Sequence, residues 1–459
     1  MSEADSPKHI QLIKKITLPL LIFFWGIAVA GLQVFPYGLI AEPLEDLQAW
    51  YLGSREGRQL SLKEKLADLL TDSELRVSGK SIISEKLKLS VKPVKDPLKL
   101  LSGSSRKLHY YSVHNKGYYI IFFIPRFSDA DYAALVLSAT GEVKKLIKRP
   151  KIDYDIRTLG QGDISPDGHL IFNSYFALHA TDICGNVKLD LPKGAGKAFS
   201  LGEGIGFHHK ASSADGMLWT WYGNELHQYN LTDSSLAKKI TFEELIAANP
   251  QTAIFEARLI KSNLKRSVGQ WKYQDLNNGL KLKHISLHDP FHQNDVDVLS
   301  QERAPLFPNF QAGDLLLSFR SINLITVIDP NTLKVKWWHY GDFSRQHDPD
   351  WALNGEITVY DNQSHQTASR IISIHPKTHQ VTELIKGEEW GFYQFAQGNH
   401  QLTDGHRVLY TNDSEMAHAT NDRLDFYFKY TSRKGYALDI GNVYYLTDDQ
   451  FKQWADACK

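Results

Sequence analysis

The sequence predicts an all-β fold, a six-bladed β-propeller, preceded by one N-terminal transmembrane helix and a short helical stalk. Three observations predict it. Beyond residue 107 the chain is a succession of short alternating strands with Gly, Asn and Asp between them. Hairpins there repeat: in "ITVIDPNTLKVKWW" and "IISIHPKTHQVTELI", Pro330, Thr332 and Val335 recur as Pro376, Thr378 and Val381. Looser copies turn around Gly141, Gly185, Asp233 and Gly435. A second unit, a Gly turn leading into an apolar strand, precedes most of them: "HNKGYYIIFFIP", "ISPDGHLIFNS", "SSADGMLWTWYG", "QAGDLLLSFRS", "WALNGEITVYDN" and "LTDGHRVLYTND". Two hairpins per period of roughly 45 residues make a four-stranded sheet, and six such sheets repeated radially make a propeller.

The elements fall in order along the chain. Residues 16–41 contain no charged side chain, long enough for a bilayer-crossing helix. Lys8, Lys14 and Lys15 precede them, and Glu42, Glu45 and Asp46 follow. The positive-inside rule therefore puts residues 1–15 in the cytosol and the rest on the periplasmic or extracellular side of the inner membrane. A signal peptide cut after Ala28-Val29-Ala30 is the competing reading; the apolar run continues past it to Ile40, which favours an uncleaved anchor. Residues 42–106 read as stalk: leucines at helical spacing over 60–75, then a lysine-rich, proline-broken stretch at 85–107. Residues 107–459 form the propeller domain. Within it, "FEELIAANPQTAIFEARLIKSNLKR" interrupts the repeat and reads as a helical insertion.

Composition excludes some functions. Lys plus Arg and Asp plus Glu both number 52, so the chain has no net charge with which to coat nucleic acid. Two cysteines, Cys184 and Cys458, are too few for a disulfide scaffold and lack zinc-site spacing.

The chemistry sits at the heads of the repeats. Four copies carry histidine ahead of the Gly turn: His208 and His209 in "FHHKASSADG", His292 in "FHQNDVDV", His347 in "QHDPDWALNG" and His400 in "NHQLTDG". Equivalent positions in radial repeats converge on one axis, so histidines far apart in sequence meet in one pocket. A repeated histidine can equally serve to bond neighbouring blades; four in register favour a site. Asn294, Asp348 and Gln401 follow three of them and are placed to fix imidazole tautomers. Phe207, Phe291, Trp351 and Tyr393 stand at strand heads, where aromatic side chains more often fill blade cores.

These residues resemble a known family. The run from "DPFHQNDVDVL" through "LLLSFRSINLITVIDPNTLKVKWWHYGDFSRQHDPDWALNGEITVYDN" is similar to the bacterial arylsulfotransferases, membrane-associated or periplasmic six-bladed propellers. The shared pieces are a His-Xaa-Asn element at 292–294, Ser-Xaa-Arg at 318–320, an Asp/Trp hairpin at 329–337, and Gln-His through Asn-Gly to Asp-Asn at 346–362. The resemblance covers residues 285–415. It implies transfer of a sulfuryl group from a phenolic sulfate ester to another phenol, with no nucleotide donor, cofactor or metal. It also implies a histidine that carries the sulfate, and further histidines and an arginine that hold it. On that resemblance His292 and His347 are channel histidines and His400 is the nucleophile. His208, His209 and Asn294 line the sulfate site. Where the family has its arginine this chain reads "DNQSHQTASR", so His365 or Arg370 takes that place.

Elementary chemistry suits the same residue types. Cationic donors around a sulfate monoester lower its barrier, a neutral imidazole attacks sulfur, and a protonated one supplies the leaving phenolate's proton. Two other classes stay open on sequence grounds: a non-catalytic tethered propeller that binds a glycan or protein, and a metal-dependent hydrolase built on clustered histidines.

Overall fold

The computed structural model describes residues between 90 and 456, apart from several stretches of which 192–206 and 250–290 are the longest. They belong to one compact unit, residues 77–459. The transmembrane segment at 16–41, the stalk helix at 60–75 and most of the helical insertion lie outside the described residues. Among the described residues no helix is long and apolar enough to cross a membrane.

Among the described residues twenty-six strands form six sheets. The first two, β1 (Ser90–Val94) and β2 (Arg106–Ser112), pair with each other. Blade one follows with β3 (Tyr118–Phe123), β4 (Tyr132–Ser138) and β5 (Val143–Lys148). Blade two holds β6 (Gln161–Ile164), β7 (Leu170–Ser174), β8 (Ala177–Thr181) and β9 (Val187–Leu191). Blade three holds β10 (Phe207–Ala214), β11 (Met217–Tyr222), β12 (Glu225–Asn230) and β13 (Leu236–Thr241). Helix α1 (Phe242–Ala248) comes next, started by a capping box of Thr241 and Glu244. Blade four holds β14 (Gln293–Val298), β15 (Leu315–Phe319), β16 (Leu324–Ile328) and β17 (Val335–Tyr340). Blade five holds β18 (His347–Trp351), β19 (Ile357–Asp361), β20 (Arg370–Ile374) and β21 (Val381–Lys386). Blade six holds β22 (His400–Leu402), β23 (Val408–Asn412), β24 (Glu415–Ala419) and β25 (Leu424–Ser432). The chain ends in β26 (Ile440–Leu446) and helix α2 (Asp448–Asp456).

Two pairings close the ring. β26 joins β3 and becomes the inner strand of blade one. β2 joins β25 and β1 lies outside it, so blade six has six strands. Both correct the sequence reading. The turn read at Gly435 lies outside the described residues; the strands on either side of it, β25 and β26, stand in blades six and one and do not pair with each other. The outer hairpin of that blade is instead β24–β25. Residues 90–94, within the segment read as stalk, form a strand. Pro93 fits there because β1 is an edge strand among the described residues, where proline is tolerated.

The core explains why the middle strands are apolar on both faces. Each of six hydrophobic clusters lies between two neighbouring blades: Trp221 and Leu317 between three and four, Ile325 and Ile372 between four and five, Tyr360 and Tyr410 between five and six. Tyr119 with Phe426, Phe122 with Phe172, and Leu178 with Leu218 complete the circle. A sheet sandwiched this way buries both faces, as β15 and β16 do at every position. Truncating the fully buried Leu317 to Ala would cost about 2–5 kcal/mol.

Helix α2 caps the closure. Phe451 stacks on Tyr118 at 3.8 Å, and Asp448 Oδ1 accepts from the Gly117 N–H at 2.9 Å. Lys145 lies 5.4 Å from the Trp454 ring and also donates to the Ile183 carbonyl. The next residue, Cys184, is disulfide-bonded; the chain's other cysteine, Cys458, lies outside the described residues.

Candidate active site

The inner strands β10, β14 and β18 do not run straight. Each slips register near its start, between His208 and Ala211, Gln293 and Asp295, and His347 and Asp350. Left-handed backbone marks the same places, with φ of 57° at His209, 47° at His292 and 51° at Asp348. Such φ costs an ordinary L-residue about 1–2 kcal/mol, and bulges re-aim side chains. The inner strand β22 pairs regularly, with His400 opposite Tyr410.

The bulges bring three histidines from three blades together. His209 Nε2 and His292 Nε2 are 3.2 Å apart, and the His209 and His347 rings lie 6.5 Å apart. A cavity of about 30 Å³ lies beside them, lined by His209, Lys210, Asn294, Asp295, His347 and Asp348 among others. A water needs about 10–15 Å³ measured this way, so the cavity takes a small polar group and leaves an aryl ring outside.

His347 is held in one state. Asn362 Nδ2 donates to the carbonyls of Gln394 and Gln397, which turns its Oδ1 to His347 Nδ1 at 2.7 Å. Nδ1 therefore carries the proton. Nε2 accepts a long 3.3 Å bond from the Gln397 N–H, which identifies it as the lone-pair nitrogen. Burial first, and the Arg320 charge second, lower its pKa to about 3. At neutral pH the ring is an uncharged base of fixed tautomer.

His400 is set differently. Its ring is enclosed, with Nδ1 at 3.1 Å from Asp348 Oδ2, and it does not line the cavity. Its backbone N–H and Asn399 Nδ2 bond the same oxygen, at 2.6 and 3.0 Å. Nε2 is buried without a hydrogen-bond partner.

Beside Asp348 lies a largely buried cation. Lys210 Nζ stands 2.8 Å from Asp348, 3.0 Å from Asp350 and 3.8 Å from Asp295. Burial alone would strip its proton, but Asp295, Asp348, Asp350 and Asp163 outweigh it and hold the pKa well above the lysine norm. Burial also acts on the acids. Lys210 and then His400 keep Asp348 well below the carboxylate range, whereas burial and the Asp348 charge push Asp350 up to about 6. Burial drives Asp295 and Asp163 well up despite Lys210. Donor atoms of Asp348, Asp350 and His400 lie within 4.8 Å of one another, close enough to hold a metal ion. Lys210 is the cation bonded to two of those three residues.

The remaining candidates separate. Asn294 lines the cavity, its Nδ2 donating to the Gln346 carbonyl at 2.7 Å and its Oδ1 buried without a partner. Arg370 heads β20, where its guanidinium pairs with Asp361 at 2.8 Å, with Glu383, and with the Asp342 carbonyl; it does not line the cavity. His208 pairs with Trp221 through its backbone; its side chain, like the whole of His365, lies outside what is described. Asp348 binds the histidine of the next blade, not its neighbour His347, and Gln401 accepts from the Tyr445 N–H. Phe207, Phe291 and Trp351 are core residues.

The sequence reading missed Lys210, and gave no role to Arg320 and Asn362, which close two of the shared motif pieces. Acids at alternate positions in "NDVDV" and "HDPDW" were a usable signal, since carboxylates on buried strands require a cation. Comparison with known proteins bears on the same stretch. Residues 204–425 match the arylsulfotransferase (ASST) family. The ASST match spans just under half of the chain and includes His209, Lys210, His292, Arg320, His347 and His400. No curated protein matches the chain. Among solved structures, a protein of unknown function from Bacteroides caccae shares 8% identity at a TM-score of 0.41, covering 72% of this chain and 99% of that one. Virginiamycin B lyase from Staphylococcus aureus shares 11% at 0.37, covering 70% and 88%. Likenesses this low carry no argument about chemistry.

Proposed function

We propose that the chain is an arylsulfotransferase-like enzyme that moves a sulfuryl group from an aryl sulfate to a phenol, with His347 as the transient carrier. One observation carries the reading: a cavity-lining histidine, kept neutral and in one tautomer, within the ASST-matched span. His347 Nε2 attacks sulfur as the S–O bond to the aryl group breaks. The departing phenolate takes a proton from the His209–His292 pair, which acts as one imidazole and one imidazolium sharing a proton between their Nε2 atoms, and Nδ1–H of His347 leans its developing charge on Asn362. An acceptor phenol then attacks the sulfo-imidazole, returns its proton to the pair and frees His347. Arg320 supplies the positive charge for the sulfate oxygens.

The choice of His347 over His400 as carrier rests on the cavity, which His347 lines and His400 does not. Chain topology belongs to the proposal too: an anchor at 16–41 with the propeller outside the cytosol, a placement the disulfide at Cys184 supports. The decisive experiment exposes the protein to labelled 4-nitrophenyl sulfate alone, quenches it and maps the label. About one sulfate per chain is expected, on the peptide containing "SRQHDPDW". Label on "GNHQLTDG" would give the role to His400, and neither label nor nitrophenol release would leave a binding propeller.

A further inference from the structure

A lysine buried among four aspartates on the inner strands of a propeller needs a reason. The group joins inner strands of five blades: Asp163 on β6, Lys210 on β10, Asp295 on β14, Asp348 and Asp350 on β18, and His400 on β22. Replacing such a cluster by apolar residues is often neutral or stabilising, so stability alone does not explain it.

Its centre is Asp348, and Asp348 is the strained residue of the β18 bulge. Asp350 is the first residue to regain the ladder after His347, so Asp348 and Pro349 set the direction of the His347 ring. A left-handed aspartate persists only where its surroundings hold it. What holds this one is specific: Lys210 grips Oδ1, while the His400 N–H, His400 Nδ1 and Asn399 Nδ2 grip Oδ2. Asn399 Oδ1 in turn accepts from the Val443 N–H on β26. One carboxylate thus ties blades three, five and six, and through Asn399 blade one.

We propose that Lys210 is a positioning residue: through Asp348 it pins the β18 bulge that aims His347 Nε2 at the cavity, and His400 is the opposing jaw of that clamp. The role rests on His347 being the reacting base. It gives the buried charge a use and His400 a use that needs no access to substrate. Lys210 must stay charged, because a neutral amine leaves Asp348 free to take a proton and release the bulge.

The test uses the full chain with Lys210→Met and Lys210→Arg. Turnover of 4-nitrophenyl sulfate gives kcat and KM, and diethyl pyrocarbonate followed by peptide mass mapping gives the reactivity of His347. His406, with a side chain 70% exposed, is the internal reference. Lys210→Met should lower kcat about 10²-fold, the scale of a 1 Å misplacement, with KM changed little. It should also shift the His347 modification rate severalfold relative to His406, and Lys210→Arg should recover part of both. Wild-type kcat and wild-type His347 reactivity in Lys210→Met would overturn the proposal. If Lys210→Met does not fold, Asp348→Asn keeps the shape, leaves Lys210 three carboxylates and reads the same clamp on both scales. If the wild-type protein turns over no aryl sulfate, the functional reading fails, and the His347 reactivity still decides the positioning role.

Discussion

His347 and His400 open consecutive inner strands, both are buried, and the repeat makes them equivalent. Their surroundings differ. His347 faces an amide oxygen and a backbone N–H, beside an arginine, on a bulged strand. His400 faces a carboxylate on a regular strand. The first setting leaves a neutral base, held only by one long backbone bond at Nε2, beside the cavity; the second uses the ring to fix another residue. Equivalence in a repeat specifies an address on the axis, and the local register specifies what the side chain does there.

The largest test of that contrast is removal of each ring. His347→Ala should abolish release of phenol from an aryl sulfate, by about 10³-fold or more, with no covalent label left. His400→Ala should retain the label and lose roughly tenfold, as a loosened clamp does. Equal losses would erase the distinction. Next in size is Arg320→Met, which should lower kcat/KM by about 10²–10³. It should also raise the pKa of His347, so an acid limb should enter the kcat/KM–pH profile at higher pH than in the wild type. An unmoved limb would place the arginine charge elsewhere.

Stability against pH gives a smaller, cleaner difference. His347 binds a proton near pH 6.5 when unfolded and near 3 when folded. Between those values the unfolded chain holds more protons, so this stabilisation is complete above 6.5 and is lost as pH falls towards 3. Its ceiling is about 5 kcal/mol. Asp350 acts oppositely, since its raised folded pKa makes stability fall as pH climbs from 3.8 to about 6. Denaturant unfolding of wild type and His347→Gln at pH 7 and 4 isolates the histidine part: the wild type should lose more on acidification. The smallest effect on catalysis is expected for Arg370→Met. It leaves the buried Asp361 short of a partner, worth about 1–3 kcal/mol of stability, with kcat unchanged. A collapse of kcat would return Arg370 to the sulfate site.

Much of the architecture was legible because Gly turns and hairpins repeat with the sheet, as at Gly216, Gly355 and the Pro330–Pro376 pair. The strands flanking residues 433–439 show the limit, since β25 and β26 lie in different blades. A hairpin and a crossing between blades share a local pattern, and only long-range pairing separates them. Convergence of histidines was legible, but the choice among them was not. It depends on bulges at His209, His292 and Asp348, where ordinary residues adopt backbone that glycine would have signalled. Lys210 escaped for a related reason: a lysine reads as solvated until the acids of three other strands close over it.

Ring closure has a consequence for biosynthesis. The inner strand of blade one is β26, seven residues with nearly the whole propeller between it and its partner β3. On the ribosome, the first complete-looking sheet emerges with the inner edge of β3 bare, and it stays bare until the last strand is released. Unpaired strand edges invite wrong partners, and domains of this size already fold through exposed intermediates. The first blade to be made is therefore the last to be finished, and a nascent chain stalled short of residue 446 would carry an open ring.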